Sequence, residues 1–374
     1  MANIYLDYAA TSRKHFDIIE KNLDILKEIY ANPSSGHTLG KKNEKLFREA
    51  REKIAKSICA KPEEIIFTSG GTESNNTVFN HVLNRFAGGE IIISSIEHPS
   101  VKSSVKHLEK YGFIVHELSV DKTGIIDLEE LRQKINDKTV LVSIMLANNE
   151  TGMINPLKEI SEIIKGKNIL LHSDIVQAFG KVEIDVSDLN LDFASVSAHK
   201  IGALNNFGFL YAKNGEIEPF ILGGGQERGL RSGTSDLLGT LVLADCVDET
   251  LESISKLREL KNYFLDKLEE NQVEFEINGL KDNSLPNIMN IYFKKIESQR
   301  LITYLDSLNI YISGGSACSS GNIKGSRIIT EMYDIERASH SVRISIGFDI
   351  TKKDLNFVID KIVRLENRLK ERDN

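Results

Sequence analysis

The sequence is short of cysteine, proline and surplus basic charge, and it holds no apolar run long enough for a membrane span. Its three cysteines, Cys59, Cys246 and Cys318, form an odd, widely separated set without CxxC metal spacing, which fits a reducing, cytoplasmic setting. Six prolines are too few for a proline-rich hinge, and no internal repeat or low-complexity linker interrupts the chain. Lys and Arg number 47 against 54 Asp and Glu, a net charge of −7, so no nucleic-acid surface is expected. The basic residues are scattered, and Lys41-Lys42 and those near the C-terminus mix with acids at near-helical spacings, as on helix surfaces. The opening Met-Ala-Asn-Ile-Tyr-Leu-Asp has no basic stretch leading into an apolar one, so export is not expected.

What is present is the composition of a globular chain of 374 residues, 41% apolar, enough to bury the cores of two domains. Short apolar runs at 64–68, 90–94, 113–117, 140–145, 169–172, 192–195 and 208–211 alternate with helical patterns. Most are continuous rather than alternating, as strands covered on both faces are, so an α/β fold with a mainly parallel sheet is expected. Ligands of such sheets sit at the carboxyl ends of the strands. After about residue 250 the pattern changes to a long helix at 251–271, strands at 288–292, 311–313 and 342–346, and helices at 298–308 and 352–372. This predicts a large domain over 15–255 and a smaller α+β domain from 1–14 and 256–374.

Several strand ends carry chemistry. Ser197-Ala198-His199-Lys200 follows an apolar run and sets an amine beside a hydroxyl and an imidazole, the combination pyridoxal phosphate needs for its aldehyde and its phosphate. Ser69-Gly70-Gly71-Thr72 joins a strand to a helix start, an anion cradle or an ordinary capped glycine turn. Asp174, three residues before Gln177, either caps a helix or holds a pyridine nitrogen protonated. His98 either stacks on a cofactor ring and passes protons or is a loop histidine satisfied by backbone. Asn149 lies in a further polar strand end, 148–152, and Thr234 in a polar glycine loop, 223–234, too long for a simple turn. Arg343 interrupts an apolar strand pattern and wants a carboxylate, from the protein or from a substrate. Cys318 stands in the small, glycine-rich segment 312–321, where an exposed thiol is a candidate nucleophile or merely idle.

With these segments in this order, the chain resembles the pyridoxal-phosphate cysteine desulfurases of the class V aminotransferase fold, NifS/IscS type. The resemblance runs from Tyr5-Leu-Asp-Tyr-Ala-Ala-Thr11 and Asn32-Pro-Ser-Ser-Gly-His37 to Arg343-Ile-Ser-Ile-Gly347. It implies a pyridoxal phosphate-dependent transferase of fold type I, with a mainly parallel seven-stranded sheet in the large domain. Lys200 is then the Schiff-base lysine, Asp174 and Gln177 hold the ring nitrogen and phenolic oxygen, and His98 stacks on the ring. Gly71, Thr72, Ser197 and His199 bind the phosphate, and Thr234 is lent to the neighbouring subunit's phosphate, which implies a homodimer. Asn149, also beside the cofactor, and Arg343 hold the substrate carboxylate.

The implied reaction turns L-cysteine into L-alanine, leaving the sulfur as a persulfide on Cys318. A sulfur-acceptor protein then takes it, for iron-sulfur clusters, tRNA thiolation or another sulfur-transfer pathway. A selenocysteine lyase or a cysteine or cystine β-lyase on the same fold is the rival enzyme, and a non-catalytic sulfur-transfer scaffold the rival of another class. The chain departs from the family at Ala203-Leu204-Asn205-Asn206, where Gly-Pro-Lys-Gly is usual, so an altered loop backbone is expected there.

Overall fold

Apolar runs of four to six residues build the central sheet of the computed structural model, which describes residues 3–315 and 325–373. In chain order the strands are β1 (Ile4–Tyr5), β2 (Ile65–Thr68), β3 (Gly89–Ser94), β4 (Phe113–Leu118), β5 (Thr139–Ser143) and β6 (Leu170–Asp174). They continue with β7 (Phe193–Ser197), β8 (Gly208–Ala212), β9 (Phe275–Ile277), β10 (Ile288–Phe293), β11 (Ile310–Tyr311) and β12 (Ser341–Ser345). Seven of them form one sheet in the order β2-β8-β7-β6-β5-β3-β4. The pairs from β7 to β4 are parallel, while β8 runs antiparallel to both its neighbours. That reversal follows from the link 198–207, which is too short for the crossover a parallel neighbour requires. Strands β7 and β8 are buried at every position, as their uninterrupted apolar pattern predicts, whereas the edge strand β4 exposes Ile114.

The place where β8 meets β7 depends on a missing side chain. A Cβ on Gly208 would stand 2.3 Å from the Val196 carbonyl oxygen and 2.7 Å from Gly70 Cα. Glycine alone lets β8 bring the turn after β2 against the end of β7.

A second, antiparallel sheet has the order β12-β10-β9, and β1 pairs in parallel with β11. The helix expected at 251–271 starts earlier and spans Leu237–Glu270. Asp236 fixes its start by accepting a hydrogen bond from Gly239 N at 2.9 Å. Its first half packs Leu237, Leu241, Leu243 and Val247 into the core around the seven-stranded sheet. Its second half packs Leu257, Phe264 and Leu268 into a core shared with β10, β12 and the helix Lys352–Asp373. Ile4, Leu6 and Tyr8 join this second core, and Ala9 joins the first, so the N-terminal segment passes from one to the other. Asp349 anchors that passage by pairing with the Tyr8 hydroxyl and the Arg13 guanidinium. Among the described residues no helix is long and apolar enough to cross a membrane.

Candidate active site

The carboxyl ends of β2, β3, β5, β6 and β7 open into one cavity of about 680 Å³. Ten of the residues expected from the sequence line it: Gly71, Thr72, His98, Asn149, Asp174, Gln177, Ser197, His199, Lys200 and Arg343. Thr234 does not. It lines an adjoining space of about 100 Å³ with Phe67, Ser69, Asn206 and Arg231, of which Ser69 and Asn206 line the main cavity too. Cys318 lies outside the described residues.

At one end of the cavity the helix Gly71–Arg85 begins without a side-chain cap, because its N-cap is Gly70 at φ 131. Uncapped first-turn amides carry partial positive charge, and the hydroxyls of Thr72 and Ser197 stand with them on the cavity wall. A Cβ on Gly71 would come within 2.8 Å of Val176 Cγ2, so glycine lets the helix start close to the end of β6. The first-turn acid Glu73 is taken up elsewhere. Its carboxylate accepts Ser69 N at 2.7 Å and the Arg231 guanidinium at 2.9 and 3.1 Å. Burial pushes its carboxyl up, but these hydrogen bonds outweigh burial and hold it below the usual range.

Asp174 ends β6. Its Oδ1 accepts Val176 N at 3.0 Å, closing a turn rather than capping a helix, since none follows β6, while Oδ2 accepts Asn75 Nδ2 at 2.9 Å. Asn75 also donates to Ser100 Oγ at 2.8 Å, and Ser100 Oγ lies 2.7 Å from His98 Nδ1. His98 caps the helix Pro99–Glu109 by accepting Ser100 N at 3.1 Å. A backbone N–H can only donate, so Nδ1 is the acceptor and the neutral ring carries its proton on Nε2. Burial pushes the His98 pKa down, Asp174 opposes this and Lys200 adds to it, and the ring is neutral at pH 7.

Lys200 sits on the short turn Ala198–Ile201 and its Nζ donates to the carbonyl oxygens of Ala9 and Ala10, both at 2.7 Å. The N-terminal segment is laced to this turn. Thr11 Oγ1 lies 3.1 Å from His199 Nδ1, Ser12 N donates to His199 O, and His15 N donates to Gly202 O. Gly202, at φ 82, has no room for a Cβ, which would stand 2.5 Å from the His15 ring. Burial, with Lys200, Lys14 and Lys181 nearby, pushes His199 down to about 3, so it serves as a neutral hydrogen-bonding group. Gln177 Nε2 donates to Ala9 O at 2.9 Å.

Arg343 is 1% exposed and already holds a carboxylate from the protein. Its Nη2 donates to Asp7 Oδ1 at 2.6 Å and its Nη1 to the Asn149 carbonyl oxygen at 2.9 Å, so Asn149 meets it through backbone rather than through its amide. Nε is buried with no partner among the described residues. An arginine has five N–H donors, which leaves capacity for a carboxylate in the cavity.

The sequence reading missed Asn75, Ser100, Glu97 and the N-terminal carbonyls. Asn75 could have been found from its spacing, since it follows Gly71 by four residues and shares that helix face. Glu97 Oε1 accepts Ser94 Oγ at 2.6 Å and Met145 N at 2.7 Å, and burial pushes its carboxyl up to about 8. Asn205 and Asn206 also line the cavity, and Asn206 takes φ 54, a left-handed backbone that asparagine tolerates better than most residues.

The family model for class-V aminotransferases matches residues 4–358. The chain is 39% identical to the cysteine desulfurase IscS of Dictyoglomus turgidum, over 98% of its own length and 95% of that protein. Among solved structures, a NifS-like protein superposes with a TM-score of 0.89 at 33% identity, covering 97% of this chain and 99% of that one. The structure of SspA in complex with cysteine superposes with a TM-score of 0.82 at 32% identity, covering 92% and 98%.

Proposed function

The chain belongs to the class-V aminotransferase family, and on that premise we propose that it is a pyridoxal phosphate-dependent cysteine desulfurase. The observation that carries the reading is the meeting of the Lys200 amine, the Asp174 carboxylate and an uncapped helix start on one cavity. The residues fit the cofactor. The amides at Gly71, with Thr72, Ser197 and His199, suit a phosphate, Asp174 suits a ring nitrogen, Gln177 suits a phenolic oxygen, and the Lys200 amine suits an aldehyde. When bound, pyridoxal phosphate supplies an electron sink for a carbanion at the substrate Cα.

The chain's own residues do the rest. Asp174, held by Asn75 and Val176 N, presents its carboxyl group to the cavity. Arg343, with donors to spare, binds the carboxylate of L-cysteine and so orients Cα toward Lys200. Lys200 Nζ takes the Cα proton, and the Ala9 and Ala10 carbonyls stabilise the resulting ammonium. The Cys318 thiolate then attacks the substrate sulfur. The Cβ–S bond breaks, a sulfur–sulfur bond forms, Cβ gains a proton, and the Lys200 ammonium returns its proton to Cα to give L-alanine. A sulfur-acceptor protein relieves Cys318 of the persulfide.

The same reading includes a cytoplasmic homodimer. Thr234 does not line this chain's own cavity but an adjoining space, as a residue serving a second copy would, and Phe220 and Leu222 are exposed apolar side chains. It also assigns 15–255 to the cofactor-binding unit and 1–14 with 256–374 to the smaller one. The long helix changes cores between Leu251 and Leu257, which supports that division. The test is direct. Protein loaded with pyridoxal phosphate should be yellow and release alanine from L-cysteine, and Cys318→Ala should keep the colour and release none. Alanine release by that variant at the full rate would overturn the persulfide route.

A further inference from the structure

Lys181 is a buried lysine that no step above uses. Its side chain is 5% exposed, and among the described residues its one side-chain hydrogen bond runs from Nζ to Gln177 Oε1 at 3.3 Å. The contact is one link of a chain that ends at the site. Gln177 Nε2 donates to Ala9 O at 2.9 Å, and the same carbonyl accepts Lys200 Nζ at 2.7 Å.

The amide of Gln177 has two N–H donors and one oxygen. With the oxygen taken by Lys181 and one N–H by Ala9 O, the plane of the amide is fixed and the second N–H is left for the cavity that Gln177 lines. The charged groups that act on Lys181 are Lys200, from the turn after β7, and Arg343, from β12. Both are cations, and no carboxylate is among them. His199 in turn feels Lys181. Burial, reinforced by the two cations, pushes the Lys181 amine down to about 7. An ammonium can only donate to Oε1, while a neutral amine clamps it more weakly.

We propose that Lys181 is a positioning residue acting through Gln177: by holding the amide oxygen it aims an amide N–H at the cofactor. The proposal rests on the reading of the cavity as a pyridoxal phosphate site.

Two measurements on protein loaded with pyridoxal phosphate test it. In the first, the visible absorbance is followed from pH 5.5 to 9. The unaltered protein should show a step with its midpoint near pH 7, which K181M abolishes and K181R replaces by the low-pH spectrum throughout. In the second, the dissociation constant of pyridoxal phosphate is measured at pH 6.5. K181M and Q177L should each raise it roughly fivefold to tenfold, and the double variant no further, because both remove the same contact. A step that persists unchanged in K181R, or losses that multiply in the double variant, would overturn the proposal. Where K181M does not fold, the K181R titration decides alone. If the unaltered protein takes up no pyridoxal phosphate at all, the cofactor reading itself fails, a result distinct from a loaded protein indifferent to Lys181.

Discussion

The two walls of the cavity are made of different things. One is built from strand ends, where β6 and β7 deliver Asp174, Ser197 and Lys200 as side chains. The other is the N-terminal segment, which offers the carbonyl oxygens of Ala9 and Ala10, the Thr11 hydroxyl and, through Arg343, the Asp7 carboxylate. In the proposed reading the sheet wall carries the groups that meet the cofactor. The N-terminal wall holds those groups in place and ties them to the smaller core through Asp349. Chemistry and alignment are thus divided between elements nearly two hundred residues apart in the chain.

The largest effect that separates the walls is expected at Lys200. Lys200→Ala should abolish the visible band of the loaded protein and lower alanine formation by about three orders of magnitude, since on the proposed mechanism it removes both the covalent anchor and the base. A variant that kept the band would break the division at once. On the other wall Asp7→Asn should act chiefly on folding and on KM. It leaves the nearly buried Arg343 without its carboxylate, which should cost about 2 to 3 kcal/mol in denaturant unfolding, and it should change KM for L-cysteine more than kcat. A fall in kcat equal to that of Lys200→Ala would make the N-terminal wall a chemical one.

The walls also differ in how well the sequence announced them. Asp174 and Lys200 were legible because each closely follows a short, largely apolar run that reads as a buried strand, and a polar side chain at the end of such a run needs a reason. Ala9 and Ala10 were not, because a backbone carbonyl has no letter of its own. Asn75 was hidden inside a helix, where only its four-residue spacing from Gly71 marks its face. The long helix was foreseen from 251 and missed from Leu237, because Leu237 to Val247 is buried on nearly every side and shows no amphipathic period. Strand β9, three residues at a sheet edge, is too short to leave a pattern.

Glu97 gives the sheet wall a pH signature. Burial raises its carboxyl to about 8, so the folded chain binds a proton there that the unfolded chain releases above the ordinary carboxylate range. The stability this contributes is complete below about pH 4.5 and is lost progressively as the pH rises toward 8. Glu97→Gln, which keeps a donor in place of the acid, should flatten that decline when unfolding is measured at pH 5, 6, 7 and 8. An unchanged slope would show Glu97 ionised in the folded protein.

The smallest expected effect makes the sharpest comparison, because it sets one hydroxyl on each wall against the other. Thr72 stands at the helix start in the proposed phosphate cradle, whereas Thr11, which also lines the cavity, has its hydroxyl 3.1 Å from His199 Nδ1. Both side chains are exposed, so neither valine variant should unfold the chain. Thr72→Val loses a hydrogen bond to a charged group and should weaken pyridoxal phosphate binding about tenfold. Thr11→Val loses a neutral hydrogen bond that only orients a phosphate ligand, and should weaken it about threefold. Equal losses would mean that Thr11 acts on the cofactor as directly as Thr72 does. The N-terminal segment would then be part of the phosphate cradle rather than its support.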